Sequence, residues 1–257
     1  MNNKRLTAAR TRTMMRAAVL VLALLFHWQH GIAAEEDRPP QTVEELRSRI
    51  ESIIEQTKTP AIGIALVNAD GPYWVAGFGK ADVEADKRAD ENTLFRIGSI
   101  SKMFAALAIL KLEEEGRLSL DDKVRDHLPD LAYENPWEDT HPIRIAHLLE
   151  HTTGWDDIHA TEYAYVAPDS MTLAEALAYH PHSRKSRWVP GTRHAYNNAG
   201  PAVAAHIVER ITGQRFEDYV AATFFAPLGM ESTSYFRTDL YRERGAQLYV
   251  GPLAQPY

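Results

Sequence analysis

Phe95-Arg96-Ile97-Gly98-Ser99-Ile100-Ser101-Lys102 runs directly into the apolar stretch Met103-Phe104-Ala105-Ala106-Leu107-Ala108-Ile109-Leu110-Lys111-Leu112 and then Glu113-Glu114-Glu115-Gly116. The composition predicts a helix from about Ser99 to Glu115, with Gly116 as its stop. A serine and a lysine three apart on a helix lie on one face, about one turn from each other. At a helix N-terminus the Ser99 hydroxyl sits in a positive field, beside free N–H groups able to stabilise an oxyanion. A lysine of depressed pKa at Lys102 would be placed to take the serine proton. The spacing alone is weak, since a chain of this length holds about one Ser-x-x-Lys by ordinary residue usage. A capping serine with a solvated lysine fits it equally well. Glu113, Glu114 and Glu115 read as a solvated helix face.

The 257-residue chain is 45% hydrophobic and 25% charged, an ordinary globular composition. It contains no cysteine. That excludes disulfide scaffolds, thiolate metal centres and a cysteine nucleophile. Its net charge of −7 argues against nucleic acid as a partner. The charge is unevenly placed. Lys4, Arg5, Arg10, Arg12 and Arg16 are not matched by any acid before Glu35, so the chain beyond Ala34 is strongly acidic. The basic start, the apolar run Ala17 to Phe26 and the small-residue end Gly31-Ile32-Ala33-Ala34 describe a signal peptide over residues 1–34. The run is too short to span a bilayer. These features predict a periplasmic or secreted protein with no stable membrane anchor once the signal is removed. The polar residues 35–41, with Pro39-Pro40, read as a linker.

From Thr42 the positions Val43, Leu46, Ile50, Ile53 and Ile54 fall on one helical face, and Thr42 with Glu45 makes a capping box. Ala61 to Asn68, a turn at Ala69-Asp70-Gly71-Pro72, and Tyr73 to Gly79 predict a β-hairpin. Residues 82–92 are charged and loop-like. Helices are expected near 143–151 and 172–180, over 197–212 and again over 216–225.

Two more polar groupings bear on chemistry. In Tyr196-Asn197-Asn198 a phenol near a lysine can shuttle a proton, and a carboxamide can hold a substrate amide through both donor and acceptor. The same spacing recurs at Tyr133-Glu134-Asn135, in a proline-rich connection expected at the surface. Tyr196 is preferred because it lies between a Pro-Gly turn and the start of a helix, where side chains can face a cleft. His147-Leu148-Leu149-Glu150-His151 matches a zinc-peptidase pattern, but Thr152-Thr153-Gly154 stops the helix that such a site needs. No metal or cofactor is expected. Trp74, Trp137, Trp155 and Trp188 read as core or rim packing.

Taken together, these stretches resemble the serine β-lactamase and penicillin-binding-protein-like hydrolases, especially the class C branch and its esterase relatives. Phe95 to Lys102 is similar to the nucleophile segment of that family and Glu115 to Asp122 to its continuation. Ile145 to Gly154 (IAHLLEHTTG) is similar to its "HLLTHTSG" signature, which accounts for the zinc-like pattern without a metal. Pro190 through Gly200 is similar to its Tyr-x-Asn segment, and Pro227-Leu228-Gly229-Met230 to a further marker. The resemblance covers about residues 42–257. It implies an α+β fold: a helix-flanked antiparallel sheet beside a mainly helical lobe, with Ser99 at their junction. It also implies Ser99 as acylated nucleophile, with its N–H as half of an oxyanion hole, Lys102 and Tyr196 as the proton-transfer pair, and Asn198 as a substrate contact. Which of Lys102 and Tyr196 is the base stays open at this level.

Residues 200–257 contain neither Lys-Thr-Gly nor His-x-Gly, the third motif of the family. The sheet is therefore expected to be incomplete, and the chain to be the front portion of a longer family member. The expected activity is exported serine hydrolysis through an acyl-enzyme, acting on β-lactams, D-amino-acid peptides or small esters. The alternatives are a catalytically silent homologue that binds peptidoglycan peptides or a partner protein, and, as the least favoured, a zinc peptidase.

Overall fold

Thr42 starts the first helix as the sequence predicts. In the computed structural model, which describes residues 38–160, 171–179, 181–250 and 253–255, its hydroxyl accepts the Glu45 N–H at 3.1 Å. The Glu45 carboxylate returns to the Gln41 N–H at 2.7 Å, one residue further back than in the usual capping box. The predicted signal peptide and residues 35–37 of the linker lie outside the described residues. The rest of the linker is tied to the helix that follows it: Arg38 donates to Glu45, and Arg49 donates to the Arg38 carbonyl. The chain divides into two compact units, one of residues up to Thr93 together with Ala246 onward, the other Leu94–Gly245.

In the first unit, α1 (Val43–Thr57) ends at Lys58, which takes a left-handed φ of 56°. The hairpin forms as expected. Strand β1 (Ala61–Asn68) pairs antiparallel with β2 (Gly71–Asp82), with an irregularity at Leu66/Val67. Arg47 on α1 lies over the rings of Trp74 and Phe78, 5.6 and 5.5 Å from their centroids, a cation–π contact that ties helix to sheet. A third strand, β3 (Lys87–Arg88), pairs with β2 inside the stretch that the sequence presents as loop. Both of its residues are exposed, so its pairing rests on backbone bonds and leaves no alternation of apolar residues to read. The sheet order is β1-β2-β3, antiparallel and not closed. A separate hairpin, β4 (Leu248–Val250) with β5 (Leu253–Gln255), belongs to the same unit. There the Tyr249 hydroxyl donates to Glu84 and accepts from the Val83 N–H, both at 2.7 Å.

The second unit is mainly helical. A 3₁₀ turn (Gly98–Ser101) leads into α2 (Lys102–Glu114), so the predicted helix is present but its first turn is tighter than α. Next come α3 (Val124–His127), α4 (Ile145–Leu149), α5 (Leu173–Tyr179) and α6 (Ala199–Thr212). After them come α7 (Phe216–Val220), a π-helical turn (Ala221–Phe225) and α8 (Asp239–Arg244). The long α6 is the hub, packing against α2, α4, α5 and α7. Its buried Val203, Ala204, Ile207 and Val208 join Ile109 and Leu112 of α2 and Leu148 of α4 in one core. Gly200 permits the crossing with α4: a Cβ there would lie 2.9 Å from the Leu148 carbonyl oxygen. Phe104 of α2 meets Phe225 edge-to-face at 4.9 Å.

Trp155 is fully buried in this core, as core packing would require. Tyr133 is not the surface residue that its proline-rich surroundings suggest. Its ring packs 5.7 Å from that of Trp155, under the Arg125 guanidinium, and its hydroxyl donates to Glu138. Burial pushes its phenol well above the ordinary value.

Helix α2 is apolar all round, yet its two faces differ. Phe104, Ala105, Ala108, Ile109 and Leu112 are buried, whereas Met103, Leu107 and Leu110 are exposed. Leu112→Ala is expected to cost about 2–5 kcal/mol in a denaturation experiment, and Leu110→Ala less than about 1 kcal/mol. Equal costs at the two positions would contradict this assignment of faces.

Candidate active site

Four residues separated by almost a hundred positions meet at the start of α2. Gly98, at φ 51°, occupies the left-handed region that glycine adopts without strain, and it turns the chain into the 3₁₀ segment that carries Ser99. One turn on, the Lys102 ammonium donates to the Ser99 hydroxyl oxygen at 3.0 Å. From the segment before α6, the Tyr196 hydroxyl donates to the same oxygen at 2.8 Å. Asn198, the residue that precedes α6, accepts from Lys102 through its Oδ1 at 2.5 Å. All four side chains that the sequence singles out are therefore brought into one cluster.

The cluster is electrostatically polarised. Lys102 lies 5.1 Å from the centroid of the Tyr196 ring, as a cation over an aromatic face. Lys102 and the Ser99 hydroxyl hold the Tyr196 phenol below its ordinary value of 10.0. Tyr196 is 45% exposed, so a substrate can reach it. The arrangement can lower the cost of a proton leaving Ser99, because a phenolate so placed accepts at 2.8 Å while the adjacent ammonium stabilises the charge. A cavity of about 250 Å³ opens beside Lys102 and Asn198, walled by Ala105, Leu173, Ala202 and Phe216.

A model of the family described as Beta-lactamase matches residues 46–257. The chain belongs to the β-lactamase family. Across that family's members, a β-lactamase from Yersinia enterocolitica is 28% identical over 70% of this chain and 44% of its own length. The octameric penicillin-binding protein homologue from Pyrococcus abyssi superposes with a TM-score of 0.74, at 29% identity, over 84% of this chain and 51% of its own. A class C β-lactamase shares the fold at TM-score 0.66, with 23% identity, over 81% of this chain and 55% of its own. The chain spans less than half the length of the curated relatives it matches.

Membership in the β-lactamase family leaves the histidine pair of the signature stretch to be explained. Helix α4 ends at Leu149, and His151 takes a left-handed φ of 58°, so the two histidines do not continue on one helical face. His147 accepts the Arg144 N–H at 3.2 Å and is held below the ordinary histidine value by burial. His151 serves Tyr196. Its ring lies 4.5 Å from the phenol ring, its carbonyl accepts the Ala195 N–H at 2.8 Å, and its Nδ1 accepts the Asn197 N–H at 3.4 Å. Burial, helped by His194 and Lys102, lowers its pKa, which favours the neutral ring that such acceptance requires.

Asp157 goes unnoticed in the sequence. Its carboxylate accepts the Asn198 N–H at 2.9 Å and the Asn198 side-chain amide at 3.0 and 3.2 Å. It lies three residues past the end of the signature stretch, which is the only hint that its loop faces the cluster; no spacing links position 157 to 198.

Tyrosine ionisation provides a direct check on this geometry. In an ultraviolet difference titration, the component lost in Tyr196→Phe is expected to have its midpoint below 10. In Lys102→Met the midpoint moves up, because the cation that favours the phenolate is gone. A Tyr196 component at or above 10 in the parent would contradict the cluster as described.

Proposed function

We propose that this chain is the catalytic portion of an exported serine hydrolase that works through an acyl-enzyme. Ser99 is the nucleophile, Lys102 and Tyr196 the proton-transfer pair, and Asn198 a contact to substrate and lysine. One observation carries this reading: the Ser99 oxygen lies within hydrogen-bonding distance of both the Lys102 ammonium and the Tyr196 hydroxyl. A solvated lysine and a capping serine need no phenol from 97 positions away.

Of the two candidate bases, Tyr196 is favoured, because its phenol is pulled down by the neighbouring cation. As the Ser99 oxygen bonds to the substrate carbonyl carbon, the serine proton passes to the Tyr196 phenolate and the carbonyl oxygen becomes an oxyanion. Collapse of that intermediate breaks the bond to the leaving nitrogen or oxygen, which takes the proton from Tyr196. Water then attacks the acyl-Ser99 ester by the same route in reverse, which releases the acid and restores the serine.

The substrate class is a β-lactam, a D-amino-acid peptide or a small ester, in keeping with the family. The basic and apolar start of the sequence supports export, and among the described residues no helix is long and apolar enough to cross a membrane. Binding of peptidoglycan peptides or a protein partner without turnover is a second reading.

A fluorescent penicillin and a fluorophosphonate, each followed by mass spectrometry, separate these readings. The expected result is a single adduct on Ser99, absent in Ser99→Ala. Tyr196→Phe should slow its formation by about 10²–10⁴-fold. The rate should also fall as pH drops through a midpoint below 10. A folded protein that neither probe labels is the outcome that defeats the enzyme reading. Hydrolysis of one β-lactam, one D-Ala-D-Ala peptide and one short-chain ester then assigns the substrate class.

A further inference from the structure

We propose that Asp157 is a positioning residue for Lys102, acting through the Asn198 carboxamide; the kinetic consequence rests on Ser99 being the nucleophile. A carboxamide has one accepting end and one donating end, so Asn198 can face its neighbours in either of two ways. An ionised carboxylate accepts and never donates. Asp157 holds the Asn198 amide nitrogen through both of its oxygens, at 3.0 and 3.2 Å, and also takes the Asn198 main-chain N–H at 2.9 Å. The amide oxygen is left facing the Lys102 ammonium at 2.5 Å. Turning the amide over would set oxygen against carboxylate and –NH₂ against ammonium, losing both contacts at once.

The chain of bonds is therefore directional: Asp157 orders Asn198, Asn198 orders the Lys102 ammonium, and Lys102 donates to Ser99. Asp157 meets the condition that it be charged. Burial opposes its ionisation, but N–H groups of Asn198 and Ile158 and the nearby Lys102 outweigh burial and keep its carboxyl below the ordinary value. Its neighbour Asp156 pairs with Arg187 at 3.2 Å and accepts the Asp157 N–H at 3.0 Å, and it does not take over the hold on Asn198.

The test combines kinetics with an observation that needs no activity. With a penicillin as probe, Asp157→Ala is expected to slow acylation of Ser99 by between about 10- and 100-fold, the scale of a misplaced catalytic group. The concentration for half-maximal acylation rate should change less than about threefold, since Asp157 does not touch the substrate.

In a double-mutant cycle, Asp157→Ala combined with Asn198→Ala should be no slower than Asn198→Ala alone, because both act through one amide. Independently, the Asn198 side-chain amide protons should exchange with deuterium at least about tenfold faster in Asp157→Ala than in the parent, as seen by NMR. Asp157→Asn, which keeps the shape and loses the charge, replaces the alanine variant if that does not fold. Additive kinetic effects, or amide exchange unchanged by the substitution, overturn the proposal. If the parent is not labelled at Ser99, the nucleophile reading fails and the exchange measurement alone decides whether Asp157 orders Asn198.

Discussion

The hydrogen bond between Lys102 and Asn198 links two helices of the second unit at the point where the polar cluster forms. It joins the first residue of α2 to the residue that opens α6, 96 positions apart. An ammonium drawn into a part-buried setting is costly unless oxygen atoms replace the water it gives up. Asn198 and Ser99 supply them. The packing of α2 on α6 is what makes that replacement possible. The buried alanines of the two helices, Ala105 and Ala108 on one and Ala204 and Ala205 on the other, let the helices come close, while Ile109, Leu112, Ile207 and Val208 fill the core they share. Core packing here has a chemical consequence, because it brings the start of α2 beside the start of α6, where the lysine meets its oxygen.

A second layer of constraint comes from the loop His151 to Asp157. His151 holds the main chain on both sides of Tyr196 and packs on its ring, while Asp157 holds both the main chain and the side chain of Asn198. The same loop is anchored by the buried Trp155, and by Ser186, which donates to the Thr153 carbonyl at 2.8 Å. Tyr196 and Asn198 are thus positioned by contacts made from outside their own segment. This fits a segment that precedes a helix rather than lying within it, since its backbone has no intrahelical bonds to hold it.

Much of this was legible in the sequence where the cause is local. Thr42 and Glu45 announce a helix start because capping is decided within four residues. The β1–β2 hairpin follows from two apolar runs with a turn between them, and α2 from an unbroken run of helix formers. Ser99 and Lys102 are legible as a pair for the same reason, as neighbours on one helical face. The choice of Tyr196 over Tyr133 rested on the Pro-Gly turn and helix start around it. The structure sets the Tyr196 hydroxyl against Ser99, whereas Tyr133 is consumed by Trp155, Arg125 and Glu138, contacts that the sequence does not reveal. Strand β3 was missed because two exposed residues carry no pattern. Asp157 was missed because its partner is 41 positions away, and nothing in an aspartate's immediate neighbours reveals which amide it will meet.

The charges of the cluster explain why these contacts have to be accurate. As the hydrogen bonds stand, the Ser99 oxygen accepts from both Lys102 and Tyr196, and a doubly donated oxygen has no base to receive its own proton. One partner must give up a proton before either can take one. The Lys102 cation favours loss from Tyr196, whereas the negative Asp157 works against it. Asp157 also orients the amide whose oxygen meets Lys102. The same carboxylate therefore positions the group that lowers the Tyr196 phenol and moderates how far that phenol falls. Such opposition keeps a base useful, because a phenol lowered too far would ionise readily but pull weakly on the serine proton.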